Sequence, residues 1–430
     1  MEVCKELKVL ADEFNKKCAT LYIVGGGVRD YLLDFKSSDI DITSTLSQED
    51  VLEICSKLQI KATKINKHLG TISLNFNNQK FEYTRFRKES YGKKGNHTPD
   101  SVEFIDDINV DARRRDFTIN AIYYDIANDK LVDPLNGIKD IQKKVIRTTC
   151  DPEVTLSDDG LRILRCIRFA SAFYFKIERQ TRKALKKFTP LLNSISKERI
   201  LKELSLIVNA NYQYGENNKV FLELSNYINL PKYIFNSSLD RMKKFNRNDI
   251  DNFYVLDKSS RLIGFYILVL KNYLKNYTPD TQLSYQINML LGVNGIKESS
   301  EHIRITEKLY RIYQNIEFKK DELNACVNYL TLSSAERNII DVFLSKKAKT
   351  VLSDKISYVK DQKLPLSVHE LDICVQDLLD MNIERKYISK ILSTLYNQVL
   401  NMSIPNENWE LKNMAVELDK LFKNITKERV

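Results

Sequence analysis

The sequence predicts an α+β protein in two unequal parts: a unit mixing strands and helices over residues 1–150, then helices almost throughout to residue 430. Three observations predict it. Eight of the 12 glycines lie in residues 1–160, and glycine and proline are scarce elsewhere, so little interrupts long helices. Period-2 alternation of apolar residues is clearest in the first part. Apolar residues at three- and four-residue steps dominate the second.

Element by element, Leu21-Tyr22-Ile23-Val24 reads as a short buried strand. Gly25-Gly26-Gly27 turns the chain into a helix opening at Val28-Arg29-Asp30. Asp39-Ile40-Asp41-Ile42-Thr43 reads as a second strand, with Ile40 and Ile42 pointing to the core. Ile72, Leu74 and Phe76 alternate with Thr71, Ser73 and Asn75; Asn77-Asn78 makes a turn, and residues 81–86 return as the partner strand of a hairpin. Helices are predicted over 162–172, 180–188, 200–208 and 388–400.

Composition excludes several classes. With 43% hydrophobic and 29% charged residues the chain is globular, neither disordered nor fibrous. The longest apolar run, residues 262–270, is far short of the roughly 20 residues of a membrane span, and the first residues show no signal-peptide pattern. Cys4, Cys18, Cys55, Cys150, Cys166, Cys326 and Cys374 are odd in number and form no C-x-x-C, which predicts free thiols in a reducing cytoplasm and no structural zinc. The net charge of +10 suggests an anionic partner, nucleic acid first, although lysine is also the common solvating residue.

The chemistry-bearing residues cluster early. Gly25-Gly26-Gly27 before a helix offers outward backbone N–H groups for phosphate, with Arg29 adding a fixed charge; alone, the triplet reads sooner as a plain tight turn. Asp39 and Asp41, at i and i+2 on a strand, share a face. Paired carboxylates repel, and divalent cations relieve the repulsion, two Mg²⁺ ions being the usual arrangement for phosphoryl transfer. Glu82, with Thr84 on the same strand face, completes a metal site, assists an attacking hydroxyl, or simply faces solvent. Arg113-Arg114-Arg115 puts positive charge near a triphosphate or ribose, or is a solvated patch; Asn120 positions a sugar or braces the loop.

On one helix at 100° per residue, Asp159, Arg162, Arg165 and Phe169 share a face opposite Ile163, Leu164, Ile167 and Ala170. A carboxylate there accepts from the amino group of cytosine or adenine, and an Arg fork donates beside it; uracil and guanine offer a carbonyl instead and are rejected. The bland alternative is a salt-bridge ladder. Glu198/Lys202 and Arg199/Glu203 read as i, i+4 pairs that support the next helix.

Together these residues resemble a known family. Gly25-Gly26-Gly27-Val28-Arg29-Asp30 followed by Asp39-Ile40-Asp41 resembles the active-site signature of class II tRNA nucleotidyltransferases and bacterial poly(A) polymerases, in the DNA polymerase β-like superfamily. Arg114-Arg115-Asp116-Phe117-Thr118-Ile119-Asn120-Ala121 is similar to the next family block, and Asp133-Pro134-Leu135-Asn136-Gly137 to the turn after it. Asp158-Asp159-Gly160-Leu161-Arg162, with Arg165 and Arg168-Phe169, resembles the neck motif, and Glu198-Arg199-Ile200-Leu201-Lys202-Glu203 the last one. Departures are Asp158 in place of the usual Glu, Arg85 with the Lys-rich residues 88–96, and Asn382-Ile383-Glu384-Arg385 in place of a glycine-rich turn.

The resemblance implies a polymerase-β-like nucleotidyltransferase head over 1–150, with a mixed sheet and helices. It further implies a helical neck over 151–210 that reads the base, a helical body over 211–360 and a tRNA-binding helical tail over 361–430. It implies metal binding by Asp39 and Asp41, catalysis by these with Glu82, and Mg²⁺ as cofactor. Nucleotide contacts are implied for Gly26, Gly27, Arg29, Arg114, Arg115, Asn120, Asp159, Arg162, Arg165 and Arg168. The expected reaction is template-independent CCA addition to tRNA, held by its acceptor arm and 3′ end, from CTP and ATP, in the cytoplasm, with neither membrane nor DNA involved. Residues 62–70 lack the poly(A) branch's basic stretch, and residues 87–102 look full length where CC-only enzymes are shortened. Partial addition and poly(A) synthesis remain the alternatives, followed by a non-catalytic RNA binder and a small-molecule nucleotidyltransferase.

Overall fold

The computed structural model describes residues 1, 3–35, 40–92, 99–210, 219–235, 239 and 242–427. The chain divides into two compact units, one of Met1–Tyr254 with Asn288–Ser299, the other of Val255–Ile287 with Ser300–Val430.

The first unit opens with α1 (Lys5–Lys16), whose Leu7, Leu10, Ala11 and Phe14 form one buried stripe. The strands β1 (Tyr22–Val24), β2 (Ile40–Ser44), β3 (Lys61–Asn66), β4 (Thr71–Phe76), β5 (Gln79–Arg85), β8 (Tyr123–Asp125) and β9 (Lys130–Val132) build a seven-stranded mixed sheet in the order β3-β4-β5-β2-β1-β8-β9. Only β2 and β5 in it run parallel. The predicted hairpin forms as β4–β5, with Asn77 and Asn78 at φ 50° and 65°, the left-handed values a two-residue turn needs. A separate hairpin pairs β6 (Arg87–Ser90) with β7 (Ser101–Phe104).

Three helices complete this part: α2 (Gly26–Leu32), α3 (Gln48–Lys57), closed by a Ser47/Asp50 capping box, and α4 (Ile108–Arg113). After α5 (Gly137–Gln142) the chain becomes helical: α6 (Pro152–Asp158), α7 (Leu161–Phe173), α8 (Arg179–Phe188) and α9 (Lys197–Val208). A two-stranded parallel pair, β10 (Val145–Ile146) with β11 (Lys176–Ile177), ties the end of the strand-rich part to the segment after α7. α7 is buried almost all round, so the polar face predicted for it packs largely inward, with Arg165 and Arg168 half-buried.

The second unit is helical, from Arg261–Leu274 to Asn408–Lys427. Its C-terminal core joins Leu378, Ile391, Leu395, Leu411, Ala415 and Phe422. No helix among the described residues is long and apolar enough to cross a membrane.

Candidate active site

The glycine turn is built as its sequence demands. Gly25 sits at φ 75° as the cap of α2, a conformation that favours glycine. A Cβ there would lie 3.3 Å from Asp41 Oδ2 and 3.8 Å from Arg115 Nη1, so the turn, the carboxylate and the guanidinium converge. Gly26 and Gly27 begin α2, with Gly27 buried.

Asp41 on β2 is the register partner of Glu82 on β5. Opposed residues on neighbouring strands share a face, and both side chains are exposed while Ile42 and Tyr83 beside them are fully buried. Burial of its stem and the charge of Asp41 raise the Glu82 carboxyl above its ordinary value, with Arg87 partly opposing. This is the electrostatic signature of a site that a divalent cation would relax. Asp39, the other predicted carboxylate, lies outside the described residues.

Behind the carboxylates stands a buried ionic cluster that sequence reasoning missed. Asp111 of α4 accepts from Arg114 Nε at 2.8 Å, Arg115 Nη2 at 3.2 Å and the Tyr123 hydroxyl at 2.7 Å. Burial would raise its carboxyl, but the two guanidiniums and the hydroxyl hold it well below the usual range. Arg114 also reaches Glu89, which Arg87 and the Tyr91 hydroxyl bind at 2.7 and 2.6 Å. Desolvation of Glu89 is likewise outweighed by Arg114 and Arg87. The available signal was Asp111 at i−3 and i−4 from Arg114 and Arg115.

A second cluster joins α2 to α7. Arg29 is buried; its Nε and Nη2 donate to Asp30 Oδ1 and its Nη1 to Asn120 Oδ1 at 2.7 Å. Its guanidinium lies 5.0 and 4.8 Å from the Phe169 and Phe173 rings. Asn120 Nδ2 donates to Asp116, which Arg165 Nε also binds at 2.8 Å. Burial would raise the Asp116 carboxyl, yet Arg165 and Asn120 bring it to about 2. Arg165 and Arg168 further face Glu203 of α9 at 3.8 and 3.0 Å.

Several expectations need correction. Asp159 does not share a helix with Arg162, because α6 ends at Asp158 and Asp159 is extended (φ −136°, ψ 107°) at the joint before α7. There its Oδ1 accepts from Leu161 N–H at 2.9 Å. Arg162 does not present its fork to solvent: it is buried and donates to the backbone carbonyls of Thr155 (3.0 Å) and Arg114 (2.8 Å). The i, i+4 pairs of α9 are replaced by longer-range ones. Glu203 turns inward to Arg165 and Arg168, Glu198 faces Lys297 at 3.5 Å, and Arg199 faces Asp159 at 3.9 Å. The inner face of α9 packs on α7, whose guanidiniums claim Glu203 first. A groove of ≈ 510 Å³, lined among others by Glu89, Arg114, Thr155, Asp158 and Arg162, opens beside the α6–α7 joint.

The chain resembles known proteins along most of its length. Residues 21–147 match the poly A polymerase head domain, and residues 174–213 the probable RNA and SrmB- binding site of polymerase A. The chain is 32% identical over 304 residues to the CCA-adding enzyme of Ligilactobacillus salivarius, covering 67% of this chain and 73% of that one. It is 39% identical over 182 residues to that of Lactobacillus helveticus, covering 42% and 44%. Against several such curated relatives the chain spans only about half their length. Two solved structures share the fold from end to end. The Thermotoga maritima CCA-adding enzyme complexed with tRNA has a TM-score of 0.65 at 20% identity, over 97% of this chain and 96% of that one. The Bacillus stearothermophilus CCA-adding enzyme in complex with CTP has 0.58 at 19%, over 99% and 98%.

Proposed function

The chain belongs to the CCA-adding enzyme family, and from that premise we propose that it adds CCA to the 3′ end of tRNA from CTP and ATP, without a nucleic-acid template, releasing pyrophosphate. The observation that carries the proposal is the exposed Asp41–Glu82 pair facing across β2 and β5, with Gly25 and Arg115 Nη1 at its edge. A non-catalytic RNA binder has no use for repelling carboxylates where RNA phosphates would lie.

Nucleotidyltransferases of this family generally use divalent metals; the ion proposed here is Mg²⁺, held by Asp39 and Asp41 with Glu82 adjacent. A pair of such ions at these carboxylates would supply activation of the 3′-hydroxyl and neutralisation of the departing pyrophosphate. The remaining work belongs to the chain. The Gly25-Gly26-Gly27 turn lets the backbone approach the triphosphate closely, and Arg115, oriented by Asp111 and Tyr123, adds charge beside it. Asp159 accepts from the amino group shared by cytosine and adenine. Arg162 fixes the joint that carries Asp159 by tying Thr155 to Arg114. Arg165, Arg168, Arg29 and Asn120 brace the wall behind it.

The proposed division of labour is a catalytic head over 1–150, a base-reading neck over 151–210, and a body (211–360) and tail (361–430) that grip the acceptor arm by phosphates and shape, in the cytoplasm. The test is incubation with tRNA lacking its CCA, Mg²⁺ and each nucleotide singly, then in pairs. CTP alone should add two residues, and CTP with ATP should complete the end. ATP alone extending into a homopolymer, or CTP addition that ATP cannot complete, would overturn complete CCA addition.

A further inference from the structure

We infer that Arg199 of α9 is a specificity-determining positioning residue: it holds the Asp159 carboxylate in the orientation that accepts C and A. The inference rests on the proposed reading of Asp159 as the base acceptor.

Asp159 stands in a two-residue break, so no helical backbone fixes its side chain. Its two oxygens have different partners. Oδ1 accepts from Leu161 N–H at the start of α7; Oδ2 lies 3.9 Å from Arg199 Nη2. The first contact fixes one oxygen only and leaves the carboxylate free to pivot about it, whereas the guanidinium charge beside the second oxygen favours one of those orientations. A carboxylate that pivots can turn away from an incoming carbonyl and so tolerates uracil or guanine.

The joint packs closely on the approach to α9. A Cβ at Gly160 would meet Leu191 Cβ at 3.1 Å and Ile195 Cδ1 at 3.5 Å, both in the segment leading into Lys197–Val208. The absence of a side chain at Gly160 therefore lets the α9 approach sit directly on the joint, which brings Arg199 to Asp159. Arg199 is not consumed by supporting its own helix. Glu203, its i+4 neighbour, is engaged with Arg165 and Arg168, and the Arg199 Nη1 is buried without a hydrogen-bond acceptor. A guanidinium kept at that cost makes sense where its other arm serves Asp159.

The test is kcat/KM for CTP and UTP on tRNA ending one base before the CCA, and for ATP and GTP on tRNA already ending in CC, for wild type, Arg199→Ala, Arg199→Lys, Arg199→Gln, Asp159→Ala and the Asp159→Ala/Arg199→Ala double variant. Arg199→Ala and Arg199→Gln should raise the UTP/CTP and GTP/ATP ratios by roughly two- to fivefold, the effect of losing a partly exposed charge pair. Arg199→Lys should restore most of the discrimination. The double variant should be no more permissive than Asp159→Ala alone, since Arg199 acts through Asp159. If Arg199→Ala does not fold, Gln against Lys makes the same comparison at near-native bulk. Wild-type ratios in the Arg199 variants, with all four nucleotides slowed alike, would overturn the inference while leaving Asp159 intact as the reader. Wild-type ratios in Asp159→Ala would overturn the base-reading assignment itself, and the inference with it.

Discussion

Removing either charge of the facing pair, by Asp41→Asn or Glu82→Gln, should stabilise the protein while abolishing nucleotide addition. Facing residues on adjacent strands are about 4.7–4.9 Å apart. Two like charges at about 5 Å repel by about 0.8 kcal/mol in water and about 3 kcal/mol at an effective dielectric of about 20. Both side chains are exposed, so the watery limit governs, and the gain should be about 1 kcal/mol, or about 2–4 °C in Tm. The pH dependence has a definite sign. Glu82 is raised in the folded state by burial and by Asp41. The folded protein thus binds that proton more tightly than the unfolded chain. Its penalty is absent where both states are protonated and sets in as pH rises from the ordinary Glu range through the raised folded value. The gap between wild type and Glu82→Gln should be near zero at about pH 3 and fully open by about pH 7. Scanning calorimetry from pH 3 to 8 without divalent cations measures it. Adding Mg²⁺ should then narrow the gap, because an ion on Asp41 beside Glu82 offsets a repulsion that only wild type carries and so stabilises wild type more than Glu82→Gln. A variant less stable than wild type at pH 7, or a gap indifferent to pH, would refute the repelling pair.

Three other outcomes are expected. Asp39→Ala and Asp41→Ala should each abolish addition with tRNA affinity nearly unchanged, and turnover within about tenfold of wild type in either would sink the metal-site assignment. Arg162→Ala leaves the Thr155 and Arg114 carbonyls without their donor, so it should cost about 2–4 kcal/mol in thermal unfolding. It should also weaken CTP and ATP together without making UTP or GTP good substrates, as paired kcat/KM measurements would show. On α8, Arg182, Lys183 and Lys186 are exposed within the stretch that matches an RNA-binding region. Changing each to Ala should weaken tRNA binding without altering nucleotide ratios, and should lower the slope of log affinity against log salt by about 0.7–0.9 per charge.

Features set by local chemistry were legible in the sequence. The glycine turn, the β4–β5 hairpin with its Asn77-Asn78 turn, and helices α7, α8 and α9 follow from conformational preference and periodicity over a few residues. Two kinds of feature were not. Helical periodicity was carried across Asp158-Asp159-Gly160, where an extended Asp159 breaks it; the two Asp residues before Gly were the available sign of a cap. And an Arg counts as polar in any periodicity whether it meets water or a distant carboxylate. Arg162 and Arg165 find Arg114 and Asp116 at separations of 48 and 49 residues, and Arg29 finds Asn120 at 91. No pattern within one helix carries that information.

The same partners sort the arginines by what each can offer a triphosphate. Arg29 spends three donors on Asp30 and Asn120 and stacks on Phe169 and Phe173, so turning it outward would break a buried network and leave Asp30 and Asn120 underpaired. Arg114 is divided between Asp111 and Glu89. Arg115 differs. Its Nε binds the Tyr123 hydroxyl and its Nη2 binds Asp111, but its Nη1 points to the edge of the Gly25 turn beside Asp41. It can meet a phosphate oxygen without surrendering either bond, and those bonds hold it in place beforehand. On the proposed reading of Arg115, the buried acid Asp111 would act on nucleotide binding through it. Sequence spacing pointed to three consecutive arginines; the fold singles out the one whose remaining arm reaches the carboxylates.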